Sequence, residues 1–217
     1  MSFSIVIPSA ISDNLVICVK AILENDSNVS PNQIIVIDDG AKEGAYRRLP
    51  IGIQWVTGIK PFIYSRNCNL GIQEAKGDVI LLNDDAILKT KDGLSNLANV
   101  AKYYGIVSAV TNAAGNPKQR PQRGSGIRPE STVLAFVCVC IPKVALDTVG
   151  LLDERFTAYG WEDYDYCRRA IESGIQLGIY DGCFVDHMSL ISTFRGRAGK
   201  GGDIEPGRKI FNEKWGC

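Results

Sequence analysis

The sequence predicts an α/β fold with a mostly parallel sheet flanked by helices. Three observations carry that expectation. Short β-branched apolar runs alternate with segments whose apolar residues recur at helical spacing. The strand-like runs are apolar on both faces, as strands covered on both sides must be. Two of them end in acid pairs, Asp38-Asp39 and Asp84-Asp85. In parallel sheets ligands gather beyond the carboxyl ends of the strands, so both pairs are expected on one edge.

The elements follow in order. "SIVIP" (Ser4 to Pro8) reads as a buried strand stopped by proline. Leu15, Cys18, Val19, Ile22 and Leu23 mark a helix, with Ser12 or Asp13 as its N-cap. "QIIVIDD" is a second buried strand, and "GIQWV" a weaker one. Tyr64, Cys68, Gly71, Ile72 and Ala75 share one helix face, and Gly77 is expected as the C′ residue. "DVILLN" is the next strand. Leu94, Leu97, Ala98, Ala101 and Tyr104 mark the next helix, and "GIVSAV" the strand after it.

The second half reads differently. Thr111 to Glu130 is rich in Gly, Pro, Asn and basic residues and is expected to be a long loop, functional or mobile. "STVLAFVCVCIP" reads as a strand and "KVALDTVG" as a short helix. A further helix begins near Trp161, with Cys167, Ala170, Ile171 and Gly174 on its buried face. "IQLGIY" and "CFVDH" read as two strands, "RGRAGKGGDIEPG" as a basic loop and "RKIFNEKWG" as a closing helix. No linker divides the chain, so 1–217 is expected to be a single domain.

Composition narrows the function classes. The 217 residues suffice for a core without staples; 45% are apolar and 22% charged, as in soluble domains. A formal net charge of zero gives no global field toward nucleic acid or membrane. Seven cysteines without metal-ligand spacing read as buried reduced thiols, hence a cytoplasmic compartment. No run approaches the roughly 20 apolar residues of a spanning helix, so no integral membrane segment is expected.

The candidate chemistry lies in three places. Asp84 and Asp85 are pressed between apolar runs, where adjacent carboxylates repel unless a cation relieves them. An oxygen-preferring divalent cation, Mn²⁺ or Mg²⁺, would do so. The only histidine, His187, ends a strand and can add a nitrogen ligand to the same ion. Glu162 and Asp163 follow Trp161 at a helix start, where a carboxylate can act as a general base; Asp165 and Arg169 make an ordinary i,i+4 pair. The loop cations Lys118, Arg120, Arg123 and Arg128, then Arg195, Arg197 and Lys200, are solvated charge or phosphate contacts.

Taken together, these segments resemble family 2 of the glycosyltransferases. "SIVIP" resembles that family's opening strand and "IIVIDDGA" its V-D-D-G-S segment. "YSRNCNLGIQEAKGDVILLNDDAIL" resembles the segment that ends in its metal motif. "LLDERFTAYGWEDYDYCRRAIESG" resembles its E-D-x-D-x-x-x-R segment, and "VDHMS" its late histidine. The pieces cover nearly the whole chain in the family's order.

The resemblance implies a single GT-A-type domain with a Rossmann-like sheet. Residues 1–110 would be the nucleotide-sugar-binding half. Residues 111–217 would be the acceptor-binding half, with basic loops 111–130 and 193–206. Asp39 would bond the uracil of a UDP-sugar donor, in a pocket shaped by Asp38 and Pro8. Arg66 would lie near the nucleotide and Asp84 near the ribose, and Asp85 and His187 would bind the metal. Asp163 would be the catalytic base, with Glu162 beside it. Trp161, Arg195 and Arg197 would contact acceptor or phosphate.

The implied reaction is a single displacement on a nucleotide sugar by an acceptor hydroxyl, with inversion. The acceptor would be a saccharide or another hydroxyl compound, with a hydroxymethylated base of modified DNA as one alternative. A nucleotide-sugar-binding module without turnover is another. A pyrophosphorylase would want a Gly-rich basic loop after the first strand, where "SAISDN" stands instead. The metal motif departs from the family's Asp-x-Asp at Asn83, and Gly40-Ala41 replaces Gly-Ser.

Overall fold

The computed structural model describes residues 2–124, 126–158, 160–190 and 204–216. Its strands are β1 (Phe3–Ser9), β2 (Ile34–Asp38), β3 (Gln54–Thr57), β4 (Asp78–Leu82), β5 (Ile87–Leu88), β6 (Ile106–Thr111), β7 (Ile127–Glu130), β8 (Cys138–Ile141) and β9 (Leu177–Asp186). They form one sheet in the order β3-β2-β1-β4-β8-β6-β9-β5, with β7 also on β9. The pairs β1–β2, β1–β4, β2–β3 and β6–β9 are parallel. Strand β8 runs against both β4 and β6, and β5 and β7 run against β9. Strands β1 to β4, β6 and β9 therefore share one direction, and the sheet is mostly parallel.

Helices cover both faces: α1 (Ser12–Asn25), α2 (Lys42–Ala45), α3 (Tyr64–Glu74), α4 (Gly93–Tyr104), α5 (Lys143–Val149), α6 (Glu162–Glu172) and α7 (Glu205–Trp215). Alternate residues of β1 feed two separate cores. Ile5 and Ile7 pack with Leu15, Cys18, Val19 and Ile22 of α1, whereas Val6 packs with Cys68 and Ile72 of α3. Gly71 permits the close approach of α3, since a Cβ there would sit 2.2 Å from Val6 Cγ1.

Several local expectations are corrected, each for a visible reason. Only Cys138–Ile141 of the run 131–142 is strand. Residues 133–137 before it are buried, but side chains satisfy part of their backbone: Leu134 N donates to Cys167 Sγ and Ala135 N to Gln119 Oε1. "IQLGIY" and "CFVDH" form one ten-residue strand, β9, whose pairing with β6 shifts register between Ala109 and Val110. The loop 111–130 ends in a strand, β7. Ser12 does not cap α1; its hydroxyl donates to Ala41 O, and Ile11 is the cap residue. Gly77 lies two residues beyond the cap residue Ala75, at φ 84°, where a Cβ would meet Ser2 O. On α6, Tyr166 joins Cys167 and Ala170 inside, while Ile171 is 40% exposed.

Candidate active site

Because β2 and β4 both lie parallel to β1, Asp38-Asp39 and Asp84-Asp85 emerge on one sheet edge. Asp84 is buried and accepts from Ser9 Oγ at 2.6 Å, at the end of β1. Asp85 is buried in the turn between β4 and β5. Strand β5 then pairs antiparallel with the end of β9, Ile87 opposite Asp186. That register brings His187, one residue beyond Asp186, to Asp85.

The contacts of the imidazole fix one of its hydrogens. His187 Nδ1 lies 2.7 Å from Ala113 O, which only accepts, so Nδ1 carries a hydrogen. Nε2 lies 3.0 Å from Asp85 Oδ1. In the neutral ring that is a lone pair facing a carboxylate oxygen, a contact that a cation between them relieves. Asp85 Oδ2 is buried with no hydrogen-bond partner among the described residues. Oxygen and nitrogen donors of this kind fit a divalent ion such as Mn²⁺ or Mg²⁺. They make two protein ligands; no group of three or more candidate ligands occurs among the described residues.

The ring is held from behind. Asn112 Oδ1 accepts from His187 N at 2.9 Å, and Asn112 Nδ2 donates to Asp186 Oδ1 at 2.8 Å. Asp186 also accepts from Met188 N at 3.0 Å and from Ser189 Oγ. These bonds hold the Asp186 carboxyl at about 2, below its ordinary range, the Ser189 hydroxyl foremost. Burial, and then the charges of Asp84 and Asp85, push the Cys18 thiol of α1 up; its Sγ lies 3.5 Å from Ala86 O.

At the other strand end, Asp38 Oδ1 accepts from Gly40 N at 3.0 Å and Lys42 N at 2.9 Å, which fixes the turn into α2. The Asp39 carboxylate pairs with Lys60 Nζ at 2.5 Å, and Lys60 also donates to Asp39 O at 2.8 Å. Arg66 turns to the neighbouring loop, donating to Ile59 O at 2.9 Å and to Pro61 O. Pro8 is buried in β1 opposite Ile37.

A cavity of about 600 Å³ opens between these strand ends and α6. Asn83, His187, Trp161, Glu162 and Asp163 are among its lining residues. Tyr64 Oη, also in the lining, lies 3.3 Å from Asn83 Oδ1 and 3.1 Å from Phe136 O. Trp161 caps α6 in the left-handed region, φ 77°, its ring 4.8 Å from that of Tyr164 and 5.1 Å from that of Phe211. Glu162 and Asp163 are partly exposed by area but sit in a concave wall, so desolvation dominates. Burial, then the charge of Asp163, pushes Glu162 up to about 8. Burial pushes Asp163 up to about 6, against backbone N–H groups, Tyr164 N among them at 2.9 Å, that favour its charge. Both carboxyls are thus raised, and the pair titrates as a unit that can hold a proton near neutral pH and accept another.

Asp165, the ordinary helix pair of the sequence, has a larger part. Fully buried, it accepts from Arg169 at 2.9 Å and Trp215 Nε1 at 3.0 Å, and pairs with Lys214 at 2.6 Å, tying α7 to α6. Two loop cations expected at phosphates are committed within the protein: Arg128 to Asp181 at 2.6 Å, and Lys118 to Glu130 at 3.3 Å. Arg195, Arg197 and Lys200 lie outside the described residues. The sequence did not single out Ser9, Lys60, Tyr64 or Asn112 for the site. Only Ser9 and Asn112 carried a signal, each standing at the end of a parallel strand.

This sheet, with its acidic carboxyl edge, is the fold of the GT-A glycosyltransferases. Solved structures share it at low sequence identity. GalNAc-T7 with UDP, GalNAc and Mn²⁺ superposes with a TM-score of 0.71 at 16% identity, over 86% of this chain and 44% of that one. The mannosyltransferase PcManGT from Pyrobaculum calidifontis, in complex with GDP-Man and Mn²⁺, gives 0.65 at 14%, over 91% and 59%. TarS 1-349 of S. aureus gives 0.59 at 15%, over 85% and 60%. The chain thus spans about half the length of these structures. No family model and no curated protein sequence matches it. No helix among the described residues is long and apolar enough to cross a membrane.

Proposed function

We propose that the protein is a metal-dependent, inverting glycosyltransferase of family 2 type that moves a sugar from a UDP-sugar to an acceptor hydroxyl. One observation carries the reading: His187, whose Nε2 contacts Asp85, and the Glu162–Asp163 pair line a single cavity. The Asp85–His187 pair suits a cation at a diphosphate, the carboxyl pair a proton acceptor at an attacking hydroxyl. The three structural relatives support it by fold, and two of them were solved with a nucleotide or nucleotide sugar and Mn²⁺.

In this reading residues 1–110 hold the donor and residues 111–217 the acceptor. Asp39 takes the base once Lys60 yields or shares it, Arg66 lies near the nucleotide and Asp84 toward the ribose, behind Ser9. Asp38 and Pro8 shape that end. Asp85 and His187 hold the divalent ion, which when bound neutralises diphosphate charge. Asp163 accepts the hydroxyl proton as the acceptor oxygen bonds to the anomeric carbon. The bond from that carbon to the diphosphate breaks, and its electron pair leaves with the nucleotide.

A donor panel scored by nucleoside diphosphate release tests this, with and without EDTA. Release from UDP-sugars that Mn²⁺ or Mg²⁺ restores after chelation is expected. Metal-independent release removes the role given to Asp85 and His187, and no release from any nucleotide sugar refutes the reading.

A further inference from the structure

We infer that Lys60 is a specificity-determining residue for the nucleobase of the donor. With Asp39 it forms an acceptor–donor pair that admits a base edge bearing an N–H beside a C=O and disfavours the amidine edge of cytosine or adenine. The inference rests on the glycosyltransferase reading and assigns base selectivity to a residue outside the motifs that suggested that reading.

The contact is fixed from the backbone outward. Beyond β3, Gly58 N donates to Asp38 O at 2.8 Å. A Cβ on Gly58 would lie 3.0 Å from that oxygen, so glycine is what lets the chain pass this close. Asn67 Oδ1 accepts from Ile59 N at 3.4 Å, and Arg66 Nη2 donates to Ile59 O at 2.9 Å and to Pro61 O. Lys60 lies between the two carbonyls that Arg66 holds. Its ammonium sits 2.5 Å from Asp39 Oδ1 and 2.8 Å from Asp39 O. Arg66 thus acts through the loop, and Lys60 supplies the cation at Asp39.

Burial dictates how a base can enter. The Asp39 carboxylate is fully covered, whereas the Lys60 side chain is 64% exposed. Lys60 is therefore the partner that can shift without unpacking the core. Its complete withdrawal would leave a buried carboxylate without its cation, which is costly. A base inserted between the two avoids that cost. One of its N–H groups donates to the carboxylate, and a neighbouring carbonyl accepts from the ammonium.

Sheet order sets which atom meets which. Asp84 and Ser9, given to the ribose end, follow β4 and end β1; Asp39 follows β2, and Lys60 follows β3 one strand farther out. Asp39 N donates to Ser9 O at 2.8 Å, so the carboxylate stands between the ribose end and the ammonium. A base anchored by its ribose turns its ring nitrogen to Asp39 and its outer exocyclic group to Lys60. Uracil offers N3–H and O4 in those places, and guanine N1–H and O6. Cytosine and adenine offer a ring lone pair against the carboxylate and amino hydrogens against the ammonium. Both contacts are then mismatched.

The test is calorimetric binding of UDP, GDP, CDP and ADP to the full chain with Mn²⁺ present. UDP or GDP is expected to bind at least about tenfold tighter than CDP and ADP. Lys60→Met keeps the stem and removes the ammonium. It is expected to cost the favoured nucleotide about tenfold and to leave CDP nearly unchanged, so that the preference collapses. Should Lys60→Met fail to fold, the double variant Asp39→Asn/Lys60→Met strands no charge and is expected to lose the preference as well. Equal binding of UDP, GDP and CDP by the parent, or an unchanged preference in either folded variant, overturns the inference. So does tighter UDP binding in Lys60→Met, which would make Lys60 a plug. A protein that binds none of the four nucleotides fails the parent reading instead.

Discussion

His187 Nε2 stands 3.0 Å from Asp85 Oδ1, although 102 residues separate them in sequence. Ala113 O takes the hydrogen on the opposite nitrogen and so turns the lone pair of a neutral ring toward the carboxylate. Because the chain has one histidine, a ¹⁵N-labelled imidazole gives a single unambiguous spectrum. The expected neutral tautomer carries its hydrogen on Nδ1, and added Mn²⁺ broadens the Nε2 signal first. A neutral ring protonated on Nε2 would refute the assignment of the metal-facing nitrogen.

Asn112 positions that ring and is not itself one of the proposed metal ligands. Asn112→Ala frees the His187 backbone and the Asp186 carboxylate together. The expected cost is about 10–100-fold in Mn²⁺ affinity, measured by calorimetry on the protein without donor. Asp85→Asn should cost at least as much. Unaltered affinity in Asn112→Ala would mean that the loop holds His187 unaided.

Asp163→Asn keeps shape but removes the proposed base. Transfer should fall by about 10²–10⁴-fold while UDP binding is retained. In the parent protein kcat/KM should rise with pH through about 6, as Asp163 loses its proton. A variant that keeps turnover, or loses UDP binding in parallel, contradicts the assigned role.

Glu162 gives a stability signature with a definite sign. Its folded value, pushed up by burial, lies near 8 against an ordinary 4.5. The folded state therefore binds more protons within that window, and its stability falls as pH climbs from about 4.5 to about 8. Glu162→Gln removes this loss. The melting temperature of the variant relative to the parent should rise steadily across the window, as scanning calorimetry can follow. A difference that does not change with pH would show that the carboxyl is not desolvated.

Asp165 holds α7 through Arg169, Lys214 and Trp215. Asp165→Ala leaves two cations facing a vacated buried site, at an expected cost of about 3 kcal/mol. Denaturant unfolding measures it. Unfolding unchanged from the parent would show that these ion pairs do not hold the helix.

Much of this fold was legible because period and face are local properties. Ile5 and Ile7 alternate with Val6 in β1, and Leu94, Leu97, Ala98 and Ala101 repeat along α4, so neither element depends on distant partners for its identity. The reading failed where distant groups took over local work. Residues 133–137 are apolar enough for a strand, yet Gln119 and Cys167 satisfy part of their backbone. Arg128 looked free for phosphate in a basic loop until β9 brought Asp181 against it.

The sequence by itself determined which groups are present at the sheet edge: two acid pairs at strand ends, one histidine after a strand, and two acids opening a helix. Tertiary structure alone decided which of them meet. Strand order and the β5–β9 register set Asp85 against His187, and the loop after β3 set Lys60 on Asp39. It also decided their charge, since burial in the surrounding wall raises both carboxyls of the Glu162–Asp163 pair. Spacing along a chain fixes a side chain's face, but proximity and desolvation arise only once many distant contacts have closed the pocket.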